Sequence, residues 1–181
     1  MQSSLLFHPT NNILVLALGN DILGDDAAGL IAARELDKRF REQIEIIEAP
    51  VAGFALLDFL AGYERALILD SVIGTATTQG TVRELMVEEF RSQSFSSPHY
   101  VGLKEIMELA RCLDIDFPSK IRILSIEVSD PFVLHEGLST ALVSQIPHFV
   151  DEAARILQSW GCDPIIDSNQ LKQSADRSGA L

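Results

Sequence analysis

The segment Gly19–Gly29, GNDILGDDAAG, follows the apolar run Ile13–Leu18 and sets two carboxylates side by side at a strand-loop-helix junction. Gly19 and Gly24 have the G-x-x-x-x-G spacing of a phosphate-binding loop, but Asp25 and Asp26 stand where the lysine and the serine or threonine belong. An acidic loop repels phosphate and suits a cation. A further acid, Asp70, ends the apolar run in LILDS, and His99 lies in SPHYVGL. Asp26 and Asp70 offer oxygen ligands and His99 a nitrogen. Such a set leaves coordination positions for water or a substrate group, as catalytic rather than closed structural metal sites do.

Each residue also has a plainer duty. Asp25 suits a helix cap better than a ligand, and Asp26 alone is an ordinary first-turn acid favoured by the helix dipole. Asp70 alone can accept from backbone amides of its loop, and an isolated histidine near a helix start is most often a surface residue. Other candidates are weaker. His135 and Glu136 lack the second histidine of H-E-x-x-H, and no G-x-S-x-G elbow occurs. His8 lies in the N-terminal arm, His148 follows Pro147, and Asp21 shares the acidic loop as a possible auxiliary ligand.

Gathering these residues requires a particular order of elements. Ile13–Leu18 reads as a strand buried on both faces, and Asp25 to about Phe40 as a helix with Leu30, Ala33, Leu36 and Phe40 on one side. QIEIIEAP and RALILDSV are further strands, with a short helix between Gly53 and Gly62. TVRELMVEEF alternates weakly and suits an extra strand. Ser97 and Pro98 fit the cap and first position of a helix running to about Cys112, with His99 in its first turn. There the positive end of the dipole favours the neutral imidazole that a metal needs.

KIRILSIEV is another strand, and Leu138 to about Trp160 carries an amphipathic helical pattern that Pro147 kinks or divides. Strands alternating with helices imply parallel crossovers. The expected fold is therefore three-layer α/β/α, with a central, mostly parallel, twisted sheet of about five strands and helices on both faces. If the strand order begins 2-1-3, Asp26 and Asp70 converge at the switch point, the usual binding crevice of such sheets.

At 181 residues and 47% apolar composition, one domain is expected, with an ordered core of about 12–160, an N-terminal arm 1–11 and a flexible polar tail 163–181. The net charge of -12 disfavours nucleic acid and anionic membranes as partners. The N-terminus does not read as a secretory signal, and no apolar run is long enough to span a bilayer. Cys112 and Cys162 show no C-x-x-C spacing, so a reducing cytosol fits best.

With GNDILGDDAAG, LILDS and SPHYVGL in that order, the chain resembles the hydrogenase maturation endopeptidases over roughly Ile13 to Leu157. Matched residue by residue, the family's metal-contacting acids fall on Asp26 and Asp70 and its histidine on His99. Ala27 departs from the glycine common in the family, Asp26 is shorter than the glutamate of some relatives, and VSDPFVLHEGLS matches less clearly, so no role passes to His135. The resemblance implies a cytoplasmic hydrolase, expected as a monomer. Its substrate would be the large-subunit precursor of a nickel-iron hydrogenase, from which it removes a C-terminal extension after nickel insertion. The nickel would be supplied by the precursor, the resting enzyme would be metal-free, and no Ser or Cys nucleophile would be required.

Two other classes compete. A receiver-type signalling domain also places paired acids after the first strand and a phosphoacceptor Asp after the third, with magnesium among them, but no lysine follows IRILSIEV here. A nucleotide-binding Rossmann module fits less well, lacking G-x-G-x-x-G. A non-catalytic metal-binding protein would show the same ligands.

Overall fold

The computed structural model describes residues 12–75, 77–85, 103–129, 134 and 137–165. Its centre is a five-stranded sheet of β1 (Ile13–Leu18), β2 (Glu45–Ala49), β3 (Arg65–Ile73), β4 (Val82–Leu85) and β5 (Lys120–Val128), in the order β2-β1-β3-β5-β4. The first four strands in that order are mutually parallel, and β4 closes the edge antiparallel to β5. TVRELMVEEF therefore supplies the extra strand through its first residues. Every residue of β1 is buried, as the unbroken apolar run requires of a strand covered on both faces.

Alternate residues of each strand face opposite layers. Ile13, Val15, Ala17, Leu67, Leu69, Leu124 and Ile126 pack on one side against helices α1 (Ala28–Phe40) and α5 (Ile146–Ser159). Leu14, Leu16, Leu18, Ala66, Ile68 and Ile123 pack on the other against α2 (Leu56–Leu60) and α3 (Leu103–Cys112). These are the three layers expected from the alternation of strands and helices.

Pro147 divides the last helical pattern rather than kinking it. The short α4 (Thr140–Val143) comes first, and Pro147 stands in the opening turn of α5, where its missing N–H has no intrahelical partner to lose. Beyond α5 the first residues of the polar tail are held. Asp163 N donates to Gln43 Oε1 at 2.9 Å, Gln43 Nε2 donates to Asp163 O at 2.6 Å, and Ile165 N donates to Arg39 O at 2.7 Å. The N-terminal arm 1–11, the proposed start of α3 with His99, and the tail from 166 lie outside the described residues.

Helix α1 sits unusually close to the sheet at Gly29. A Cβ there would fall 2.8 Å from the Leu69 carbonyl oxygen and 2.9 Å from that of Leu18, both backbone atoms of central strands. Gly29→Ala should therefore lower stability. Overpacking of this kind costs about 1–3 kcal/mol. The helix-propensity gain of alanine is at most about 1 kcal/mol and smaller in a first turn. Urea unfolding checks it: a midpoint equal to that of the unmodified protein would mean α1 can move away freely.

Candidate active site

The register of the sheet creates a step at its carboxyl edge. Ala17 pairs with Leu69, so Leu18, the last residue of β1, lies level with Asp70, while β3 continues through Ser71, Val72 and Ile73. Those three residues pair with β5 on one side through Ile126, Glu127 and Val128. On the other side β1 has ended and its place is taken by the loop it feeds. This is the point where the strand order reverses, with β2 on one side of β1 and β3 on the other.

The loop is shaped by its own residues. Asn20 Oδ1 accepts from Ile22 N at 3.2 Å, Leu23 N donates to Asn20 O at 3.1 Å, and Gly24 takes a positive φ of 54°. A 3₁₀ turn, Gly24–Ala27, then leads into α1. The exit of the loop folds back on its entry: a Cβ on Gly19, whose φ is 141°, would lie 2.2 Å from the Asp26 carbonyl oxygen. Only glycine fits there. Arg34, one-sided on α1, fastens the outer part of the loop. It donates to Asp21 Oδ1 at 2.9 Å and Oδ2 at 2.7 Å, and through Nε to Glu48 Oε1 at 2.8 Å.

The two neighbouring acids do different work. Asp25 does not cap α1, whose start at Ala27 has no side-chain cap. The intervening 3₁₀ turn moves the start of α1 past Asp25 and lets its carboxylate reach across to another loop. Asp25 Oδ1 accepts from the backbone amide of Ser139 at 2.7 Å, and Oδ2 accepts from Gln79 Nε2 at 3.2 Å. Ser139 in turn caps α4, its Oγ accepting from Leu142 N at 3.4 Å. Asp25 thus joins the acidic turn to the segments that follow β3 and β5.

Asp26 is 7% exposed and turns inward, where its Oδ1 accepts from the Ser71 hydroxyl at 2.9 Å. Asp70 is fully buried on β3, the residue before Ser71. The fold therefore brings Asp26 and the end of β3 together at the switch point. Asp21 is not drawn in: it is exposed, and its hydrogen bonds to Arg34 hold its carboxyl below its ordinary pKa against the opposing effect of burial. His99 and His135 lie outside the described residues, and among the described residues no group of three or more metal-ligating side chains forms.

Two features escaped the sequence reading. Ser71 signals only as a small polar residue inside a buried strand. Glu127, 3% exposed on β5, shares the α2/α3 face with Asp70 by strand alternation and pairs with Arg83 Nε at 2.6 Å. Its signal is a charge set between Ile126 and Val128, in the half of the strand after Arg122 that carries no other charge. The arginine supplies the counter-charge that such burial requires.

The sequence and the fold match known proteins. A family model described as hydrogenase maturation protease matches residues 31–156, which include Asp70 and His99 and begin after Asp26. The hydrogenase 2 maturation protease of Escherichia coli is 27% identical over 157 residues, covering 84% of this chain and 94% of its own. Among solved structures, the hydrogenase maturating endopeptidase HybD from E. coli superposes with a TM-score of 0.72 at 26% identity, covering 87% of this chain and 98% of its own. The [NiFe] hydrogenase maturation protease HybD from Thermococcus kodakarensis gives 0.62 at 26% identity, covering 80% and 97%. The paired acids at the strand switch point thus belong to a chain of the hydrogenase maturation protease family.

Proposed function

We propose that the protein is an endopeptidase that removes the C-terminal extension of a nickel-iron hydrogenase large-subunit precursor after nickel has been inserted. Asp26, Asp70 and His99 engage the precursor's nickel, and the protein works in the cytoplasm, where it needs no metal of its own. The observation that carries this reading is the placement of Asp26 against the residue following Asp70, at the crevice where β1 ends and β3 continues. Family membership supplies the reaction class.

The donor set fits such a cargo. Two carboxylates and an imidazole are suited to a divalent ion and leave positions for the ligands it already has in the precursor. The nearby acids are otherwise engaged, Asp25 by Ser139 and Gln79, Asp21 by Arg34, and Glu127 by Arg83. Asp26 and the β3 residue Asp70 are the acids at the switch point itself, and we assign them to the nickel. Held there, the nickel would lower the pKa of a bound water towards neutrality or polarise the scissile carbonyl. The chain's own residues hold the nickel at a fixed place relative to the cut bond, so that hydrolysis needs no Ser or Cys nucleophile.

The rim is suited to a protein substrate. Among the described residues, four of the six exposed large apolar side chains, Ile22, Phe54, Leu134 and Val143, lie on connections following the carboxyl ends of β1, β2 and β5. No helix among the described residues is long and apolar enough to cross a membrane.

Two measurements test the reading. Asp70→Asn removes a charge at nearly constant volume and should reduce processing of nickel-loaded precursor by at least about 100-fold, beyond the usual effect of a residue behind the ligands. Its melting temperature should stay close to that of the unmodified protein. Normal cleavage by this variant, followed by intact mass, would sink the Asp70 assignment. Nickel-free precursor should remain uncut under the same conditions, and a chelator should leave the melting temperature of the free protein unchanged. Efficient cleavage of metal-free precursor would remove nickel as the trigger while leaving the protease assignment standing.

A further inference from the structure

We infer that Ser71 is a positioning residue for metal engagement, its hydroxyl holding the Asp26 carboxylate in the one orientation that works together with Asp70. This rests on the proposed role of Asp26 and Asp70 towards nickel. The Ser71 Oγ donates to Asp26 Oδ1 at 2.9 Å, with both residues buried, at 5% and 7% exposure. The other oxygen, Oδ2, lies beside Gly19, 3.6 Å from where a Cβ on that glycine would be. One oxygen is thus committed to β3 and the other is directed to the end of β1, where no described residue donates to it.

The geometry of β3 makes this more than a local tie. Asp70 and Ser71 are consecutive residues of one strand, paired to Ser125 and Ile126 of β5. Successive strand residues project to opposite faces. Asp70 therefore lies on the α2/α3 side, and Ser71 reaches Asp26 from the α1 side. A single rigid strand sets the positions of both acids, one directly and one through a hydroxyl. Without that hydroxyl, Asp26 is placed only by the loop that bears it. Loss of a hydrogen-bonded partner behind a metal ligand typically costs 10–100-fold in metal affinity or activity.

Ser71→Thr and Ser71→Val isolate the hydroxyl, because threonine and valine have nearly the same shape and both suit a strand. The variants are compared by calorimetry with Ni²⁺ alone and by KM and kcat on nickel-loaded precursor. Thermal melting is followed in parallel, and Asp26→Ala serves as the reference for complete loss. Ser71→Thr should stay within about threefold of the unmodified protein, whereas Ser71→Val should weaken Ni²⁺ binding, or raise KM for the precursor, by about 10–100-fold at a melting temperature matching that of Ser71→Thr. Equal Ni²⁺ affinity and equal KM for the two variants, with Asp26→Ala still defective, would reduce Ser71 to a structural hydrogen bond. An Asp26→Ala variant as competent as the unmodified protein would instead overturn the role of Asp26, and the inference with it.

Discussion

The site depends on a mismatch in strand length. β1 stops level with Asp70 while β3 runs three residues further, so the central sheet has a step in its carboxyl edge. A parallel strand that continues past its neighbour leaves backbone and side chains in need of new partners. The acidic turn fills that step, and its fit is tight. Asp26 bonds to Ser71, Gly19 admits no side chain, and Gly29 brings α1 onto the carbonyls of the strands on either side of the step. The two acids are thereby tied to a central strand of the sheet rather than placed by loop conformation alone.

Charge is managed around this step by giving most carboxylates a dedicated donor. Glu127 has Arg83, Asp21 and Glu48 share Arg34, and Asp25 accepts from an amide and a glutamine. The chain is strongly acidic, at -12 overall, and like charges crowded in a buried crevice would raise one another's free energy. Pairing the surrounding acids lowers that repulsion around the step.

Much of this was legible before the coordinates. The apolar run of β1, the alternation of strands with helices and the resemblance of three ordered motifs led to the three-layer fold, the 2-1-3 order and the family. The helix boundaries were less accessible. Asp25 reads as a cap because an acid before a helical period normally is one, but the 3₁₀ turn shifts the start of α1 and frees its carboxylate for Ser139, 114 residues away in sequence. No local pattern announces such a long-range bond. The bond of Ser71 to Asp26 is hidden for the same reason: it comes from the register of β3 against β1, which depends on pairing across the sheet. The receiver and Rossmann alternatives, which are also built on parallel α/β sheets, give way to the family assignment.

The residues after α5 have a practical bearing. Asp163 and Ile165 are fastened to Gln43 and Arg39, at the end of α1 remote from the acidic turn. The described chain therefore ends at the pole opposite the acidic turn. Immobilising the protein through that pole would present its acidic mouth outward to a folded partner in solution. The same anchoring at the opposite pole would bury the entrance against the support.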